Sequence, residues 1–135
     1  MRIFLDTNVL VASLIAHGTC HELYEYCLAE HRICISQDVL NELETAFTQK
    51  IRCPQNILEQ AISFIQRNAE IVEYIPLPTP ICRDPKDDRI LSAAICGKVD
   101  CLISGDEDLL VLKEIKGIPI IRPAEFWKFE KSKLS

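Results

Sequence analysis

Residues 2–16 read RIFLDTNVLVASLIA. The stretch divides into three parts with different physical preferences. Arg2–Leu5 is short and apolar, as a buried strand requires. Asp6-Thr7-Asn8 is a cluster of helix-capping side chains, and Val9–Ala16 is an apolar segment for them to cap. A strand that passes directly into a helix through a polar turn is the repeating unit of a parallel α/β sheet.

The same unit recurs along the chain. Gly18 interrupts the first helix, and Thr19 caps a second over Cys20–Glu30, with Leu23, Cys27 and Leu28 at helical spacing. Arg32–Ile35 (RICI) is the next strand, and Ser36 caps a helix whose apolar positions are Val39, Leu40, Leu43 and Phe47. Pro54 opens a helix running to about Ala69. Its residues Ile57, Leu58, Ala61, Ile62, Phe64 and Ile65 cover more than one face, a breadth that suits the core and also contact with a second copy of the chain. Ile71–Ile75 reads as the third strand. Pro76–Pro85 carries four of the seven prolines and forms a rigid connection. A helix then starts at Asp87 or Asp88 and stops at Gly97, as a left-handed glycine would stop it. Cys101–Ser104 is the fourth strand, Asp106–Lys116 a helix closed by Gly117, and Ile118–Ile121 a fifth strand that Pro119 marks as an edge. Pro123 begins a last helix through Phe129. The pattern predicts one domain over residues 1–135: a three-layer α/β/α sandwich around a mostly parallel five-stranded sheet.

Composition agrees with this and narrows the setting. Of the 135 residues 48% are hydrophobic and 26% charged, as in an ordinary globular protein. No apolar run approaches the ~18 residues of a membrane helix, and Asp6 and Asn8 break the apolar start too early for a signal peptide. A cytoplasmic location is expected. The seven cysteines are odd in number, lack a C-x-x-C pair and sit among apolar neighbours, which fits buried reduced thiols better than a disulfide scaffold. The net charge of −5 is unlike that of a dedicated nucleic-acid module. The imbalance is regional, however. From Lys113 onward Lys113, Lys116, Arg122, Lys128, Lys131 and Lys133 outnumber Glu114, Glu125 and Glu130, giving a basic end suited either to solvation or to phosphate contact.

Chemistry is concentrated in acidic residues at the junctions of strands and helices. Ligands of an open α/β sheet bind outside the carboxyl ends of its strands. Asp6 directly follows the first strand, and Asp106 follows the fourth after Gly105. Asp88 lies in the first turn of its helix, where a carboxylate also meets the positive end of the helix dipole. Glu42 reaches the same edge if its helix tilts across it. Each of these has an ordinary reading, as a cap, a turn residue beside Pro85 or a solvated helix face. Together they form a set that one ligand can join. Close carboxylates repel by up to about 1–4 kcal/mol per pair, so the set calls for protons or a cation. All-oxygen ligands select Mg²⁺ or Mn²⁺, ions that clamp a phosphate and acidify water for attack on it.

The motifs DTN (6–8), VLNEL (39–43), DDRILSAA (87–94) and SGDEDL (104–109) span nearly the whole chain. In this order and spacing the sequence resembles the PIN-domain ribonucleases of the VapC-like toxin type. The resemblance implies a PIN-like fold, RNA hydrolysis with Mg²⁺ or Mn²⁺, and Asp6, Glu42, Asp88 and Asp106 as catalytic metal ligands. It leaves Asp87 as an alternative to Asp88, and Asp108 as a substitute or helper for Asp106. It further implies that Thr7, Asn8 and Ser104 orient carboxylates or touch a phosphate, that an antitoxin protein is the cognate partner, and that the chain forms a homodimer.

Rival readings lack their own residues. A phosphoacceptor receiver needs a lysine after its last strand, where Ile121-Arg122-Pro123 stands, and an aspartyl phosphatase needs D-x-D where this chain has DTN. No G-x-S-x-G elbow is present for a serine hydrolase, and all three histidines precede residue 32. An inactive PIN-like module for protein or RNA interaction is the alternative, and it gives no reason to keep four mutually repelling acids.

Overall fold

The structure, a computed structural model, describes residues 1–134. Six strands, β1 (Arg2–Leu5), β2 (Arg32–Ile35), β3 (Glu70–Ile71), β4 (Cys101–Ile103), β5 (Glu114–Ile115) and β6 (Ile118–Ile121), form one sheet in the order β3-β2-β1-β4-β6-β5. Every pairing is parallel except that of β5 with β6. The helices are α1 (Thr7–Ile15), α2 (Thr19–Glu30), α3 (Gln37–Thr45), α4 (Gln55–Asn68), α5 (Pro85–Cys96), the single turn α6 (Glu107–Leu110) and α7 (Phe126–Leu134). No helix of the described residues is long and apolar enough to cross a membrane.

The central strands are apolar on both faces because both faces are covered. Ile3, Phe4 and Leu5 of β1 and Cys101, Leu102 and Ile103 of β4 are fully buried, and Leu10, Leu23, Leu43, Leu91 and Phe126 close over them from the helices. Successive strands step from β1 to β2 and β3 on one side, while β4 and β6 lie on the other. The direction of winding therefore reverses between β1 and β4. Such a switch point leaves a crevice at the carboxyl edge, where the connecting segments part in opposite directions.

The sheet differs from expectation on its flanks, each time for a local reason. β3 stops at Ile71 because its partner β2 stops at Ile35; Val72 N–H donates to Ile35 O as the last bond of the ladder (2.8 Å). The helix expected over Asp106–Lys116 ends after one turn. Lys113 adopts a positive φ of 65°, and Lys116 (47°) and Gly117 (82°) form a two-residue turn with both φ positive. That is the backbone of a tight β-hairpin, so Gly117 joins β5 to β6 instead of closing a helix. β6 is consequently not the edge. Ile120 N–H donates to Lys113 O (2.9 Å), and the ladder passes over the N–H that Pro119 lacks. Gly97 is likewise no left-handed stop, since its φ is −75° and Lys98 (50°) takes the left-handed place. A Cβ at position 97 would lie 3.0 Å from Ala93 O and 3.1 Å from Val72 Cγ1, so close packing is what requires glycine there. All seven cysteines are free, with Cys27, Cys34 and Cys101 buried and Cys96 exposed. Burial therefore holds for part of the set only.

A polar clasp fixes α7 to the body. Glu130 accepts from Tyr26 Oη (2.7 and 2.8 Å) and meets His31 Nε2 at 2.5 Å, with the His31 and Glu130 side chains only 7% and 12% exposed. The rings of Tyr26, His31 and Phe126 meet edge-on beside this pair, with Trp127 tilted against Tyr26. Charge-assisted bonds in so dry a place are strong, and their loss strands two polar groups. Glu130→Ala is expected to lower unfolding free energy by about 2–4 kcal/mol, read as a lower denaturant midpoint with an unchanged slope.

Candidate metal centre and adjoining cleft

Parallel register puts the first acid in place. Leu5 lies opposite Ile103, so the residues that follow, Asp6 and Ser104, leave the sheet side by side at its carboxyl edge. Asp6 N–H still donates to Ile103 O (3.0 Å). The Asp6 carboxylate accepts from Thr7 N–H on Oδ1 (2.6 Å) and from Ser104 Oγ on Oδ2 (2.6 Å). The first bond caps α1. Ser104 Oγ in turn accepts from Asp106 N–H (3.0 Å), tying the fourth-strand turn to the first. Asp106 itself caps α6 by accepting from Asp108 N–H (2.9 Å). Capping and clustering are thus one arrangement, because each cap lies where a strand ends.

Glu42 arrives from α3. Ser36 caps that helix (Val39 N–H to Oγ, 3.3 Å), Val39, Leu40 and Leu43 bury one face, and Glu42 is left half-buried at the rim. Thr7 Oγ1 donates to Glu42 Oε2 (3.0 Å), so the residue after Asp6 holds the glutamate by its side chain.

Of the two candidates for the third acid, Asp88 and Asp87, only one faces the other acids. Both oxygens of Asp88 accept backbone N–H groups of the proline-rich segment, from Ile81 (3.2 and 3.3 Å) and Cys82 (2.9 Å). Asp88 anchors that strap. Asp87 turns inward instead: it is buried, and it forms with Asp106 and Asp108 a group whose oxygens lie within 4.8 Å of one another. Its place was readable from helical spacing. Positions 87, 90, 91 and 94 share a face, and Ile90, Leu91 and Ala94 are core residues. Asp88 leads instead to Ser92, whose Oγ donates back to Asp88 O (2.9 Å). Asp84 caps α5 through Lys86 N–H (2.9 Å), with Pro85 in the first turn, which settles the phase of the helix.

Electrostatics follow from this crowding. Burial raises the Asp6 carboxyl above its ordinary range, the bonds from Ser104 and Thr7 oppose the rise, and the charges of Asp106 and Glu42 add to it. Asp87 is pushed up to about 7, first by burial and then by the adjacent Asp106. Asp108 receives Arg83 Nη2 at 2.8 and 3.1 Å, an exposed pair at the rim. The donor set is all oxygen, anionic and under-compensated, and so fits a hard divalent cation.

Beside the acids lies a cleft of about 480 Å³ between α1 and the end of α3. Thr7 and Glu42 are shared between cleft and acid cluster, Asn8 lines the cleft next to them, and Lys50 and Lys86 bring positive charge to its walls. Lys50, Lys86 and Arg83 are cations that the motif reading passed over. None of the C-terminal lysines lines this cleft.

The sequence profile of the PIN domain matches residues 2–108. The chain belongs to the PIN domain family. Among solved structures, a chain of VapBC2 from Rickettsia felis, in a crystal structure with a DNA fragment from their promoter, superposes with a TM-score of 0.67 at 20% identity. The match covers 90% of this chain and 98% of that one. No curated protein matches the chain.

The strained acid gives this PIN domain a pH signature. A carboxyl whose pKa lies near 4 when unfolded and about 7 when folded binds its proton more tightly in the folded state. Its contribution is fully present below pH ~4 and is lost as pH rises through 7. The metal-free protein is expected to lose melting temperature between pH ~4 and 7, and Asp87→Asn to lose less across the same range. Parallel profiles for the two proteins would rule out Asp87 as the source.

Proposed function

We propose that the chain is a divalent-metal-dependent ribonuclease that hydrolyses RNA phosphodiester bonds and serves as the toxin of a toxin–antitoxin pair. The observation that carries this reading is the group of acids at the β1/β4 switch point: Asp87, Asp106 and Asp108 have oxygens within 4.8 Å of one another, and Asp6 lies in the field of Asp106 and Glu42. Asp87 takes the place first given to Asp88, and Asp108 assists from the rim. These residues would hold Mg²⁺ or Mn²⁺. When bound, such an ion supplies charge neutralisation at a phosphate and acidifies water.

The chain's own side chains prepare that chemistry. Ser104 and Thr7 each hold one oxygen of the Asp6 carboxylate, which restrains its rotation. Thr7 restrains Glu42, the longest and most mobile of the acids. Lys86 and Lys50 sit where a polyanion would enter and offset a net charge that would otherwise repel it. The VapBC2 neighbour supports a cognate protein partner. Ile57 and Phe64, 49% and 43% exposed and two turns apart on α4, support pairing with a second copy of the chain.

Thermal melting with and without millimolar Mn²⁺ tests the metal site without a guess at substrate. At 10–100 times Kd, binding to the native state adds about 1–3 kcal/mol. Wild type and Asp88→Asn are expected to gain melting temperature, and Asp87→Asn to lose the gain. Asp6→Asn and Asp87→Asn should also abolish RNA cleavage while remaining folded. A wild-type protein indifferent to Mn²⁺, or an Asp87→Asn protein that cuts normally, would sink the assignment. For the pairing, Phe64→Glu should halve the mass measured by light scattering at micromolar concentration.

A further inference from the structure

The cleft beside the acids has the composition of a nucleobase pocket. Its walls are apolar where a ring would lie: Val11 and Ile15 on α1, and Ala46 and Ile51 at the end of α3. Ile15 and Ile51 are 56% and 40% exposed, which leaves large apolar side chains uncovered next to a charged site. Amides stand at its polar side, Asn8 from α1 and Asn41 from α3. Gln37 Nε2 donates to Asn41 Oδ1 (3.0 Å), engaging the acceptor end of that amide and presenting its NH₂ as the donor.

The backbone here departs from regular structure. After Thr45 the α3 helix widens into a π-helical turn over Ala46–Lys50, and Arg52 then adopts a left-handed φ of 56°. π turns are rare and gather at functional sites, and a non-glycine residue at positive φ costs free energy that the surroundings must offset. The result of this distortion is that Ala46, Lys50 and Ile51 all line one cleft. Thr7 and Glu42 belong to both cleft and acid cluster, so a base in the cleft would lie next to a phosphate over the acids.

We propose that this cleft reads one unstacked base of a single-stranded RNA next to the scissile phosphate. Asn41, with Asn8, selects the base by its edge, and Lys50 and Lys86 hold the flanking phosphates. The assignment rests on the ribonuclease reading for its substrate. It adds that cleavage is sequence-selective and names the residues that select. An amide presented as donor favours a base offering a carbonyl or ring-nitrogen acceptor at that edge. The lysines act on every sequence alike.

Binding selection tests this separately from cleavage. Short single-stranded RNAs of randomised sequence are equilibrated with the protein in a chelator, and the retained strands are sequenced. Wild type is expected to enrich one base at one position, and Asn41→Leu to reduce that enrichment about tenfold. Lys50→Gln should weaken all sequences equally and lower the slope of log affinity against log salt by about 1. Retention of the Mn²⁺-dependent rise in melting temperature by both variants confirms that they are folded. Wild-type binding indifferent to base, enrichment that survives Asn41→Leu, or no RNA binding at all would each overturn the pocket. Base-selective binding with no cleavage once Mn²⁺ is added would uphold the pocket and overturn the ribonuclease reading instead.

Discussion

Pairing of β1 with β4 is the constraint on which the rest depends. With Leu5 opposite Ile103, the next residue of each strand leaves the sheet at the same level, and Ser104 Oγ can reach Asp6 Oδ2. A one-residue slip in that register would turn Asp6 to the other face of the sheet. The register is secured by burial. Ile3, Phe4, Leu5, Leu102 and Ile103 are all fully enclosed, and covering apolar surface at about 25 cal/mol per Å² makes any slip expensive. A small number of core residues thereby determines where buried acids sit.

The acids themselves work against folding. A buried carboxyl such as Asp6 loses hydration, and Asp106 and Glu42 raise its protonation further. Bonds from Thr7 and Ser104 offset part of that cost. They also set direction, which a solvated carboxylate lacks. Asp87 has less help, and burial with the adjacent Asp106 pushes it up to about 7. A cation among these oxygens would relieve that strain.

Much of this was legible in the sequence, for identifiable reasons. Asp6 follows directly on its strand and Asp106 within a short turn of its own, so their place at the edge needed only the strand pattern. Glu42 needed α3 to cross the edge, and the Thr7 bond shows that it does. Asp87 stood second to Asp88 because a motif register was given priority over the 3.6-residue period that Ile90, Leu91 and Ala94 define. The hairpin after α6 was missed because its cause is left-handed lysines, Lys113 and Lys116; glycine signals positive φ in a sequence and lysine does not. The π turn at Ala46–Lys50 has no signature in the order of residues.

Charge is where global and local arguments part. A net charge of −5 speaks against nucleic acid only if the field is averaged over the whole surface. At physiological salt the Debye length is about 8 Å, so a strand entering the cleft responds mainly to the groups that line it. Those groups include Lys50 and Lys86, with Arg83 at the acid rim. The Arg83–Asp108 pair is exposed and of small worth by itself, so it can part at little cost. A cation that takes up the Asp108 carboxylate would free the guanidinium for a phosphate, turning local charge more positive on two counts. In an acidic protein, occupancy of the metal centre would then add to an attraction for a polyanion that Lys50 and Lys86 already supply.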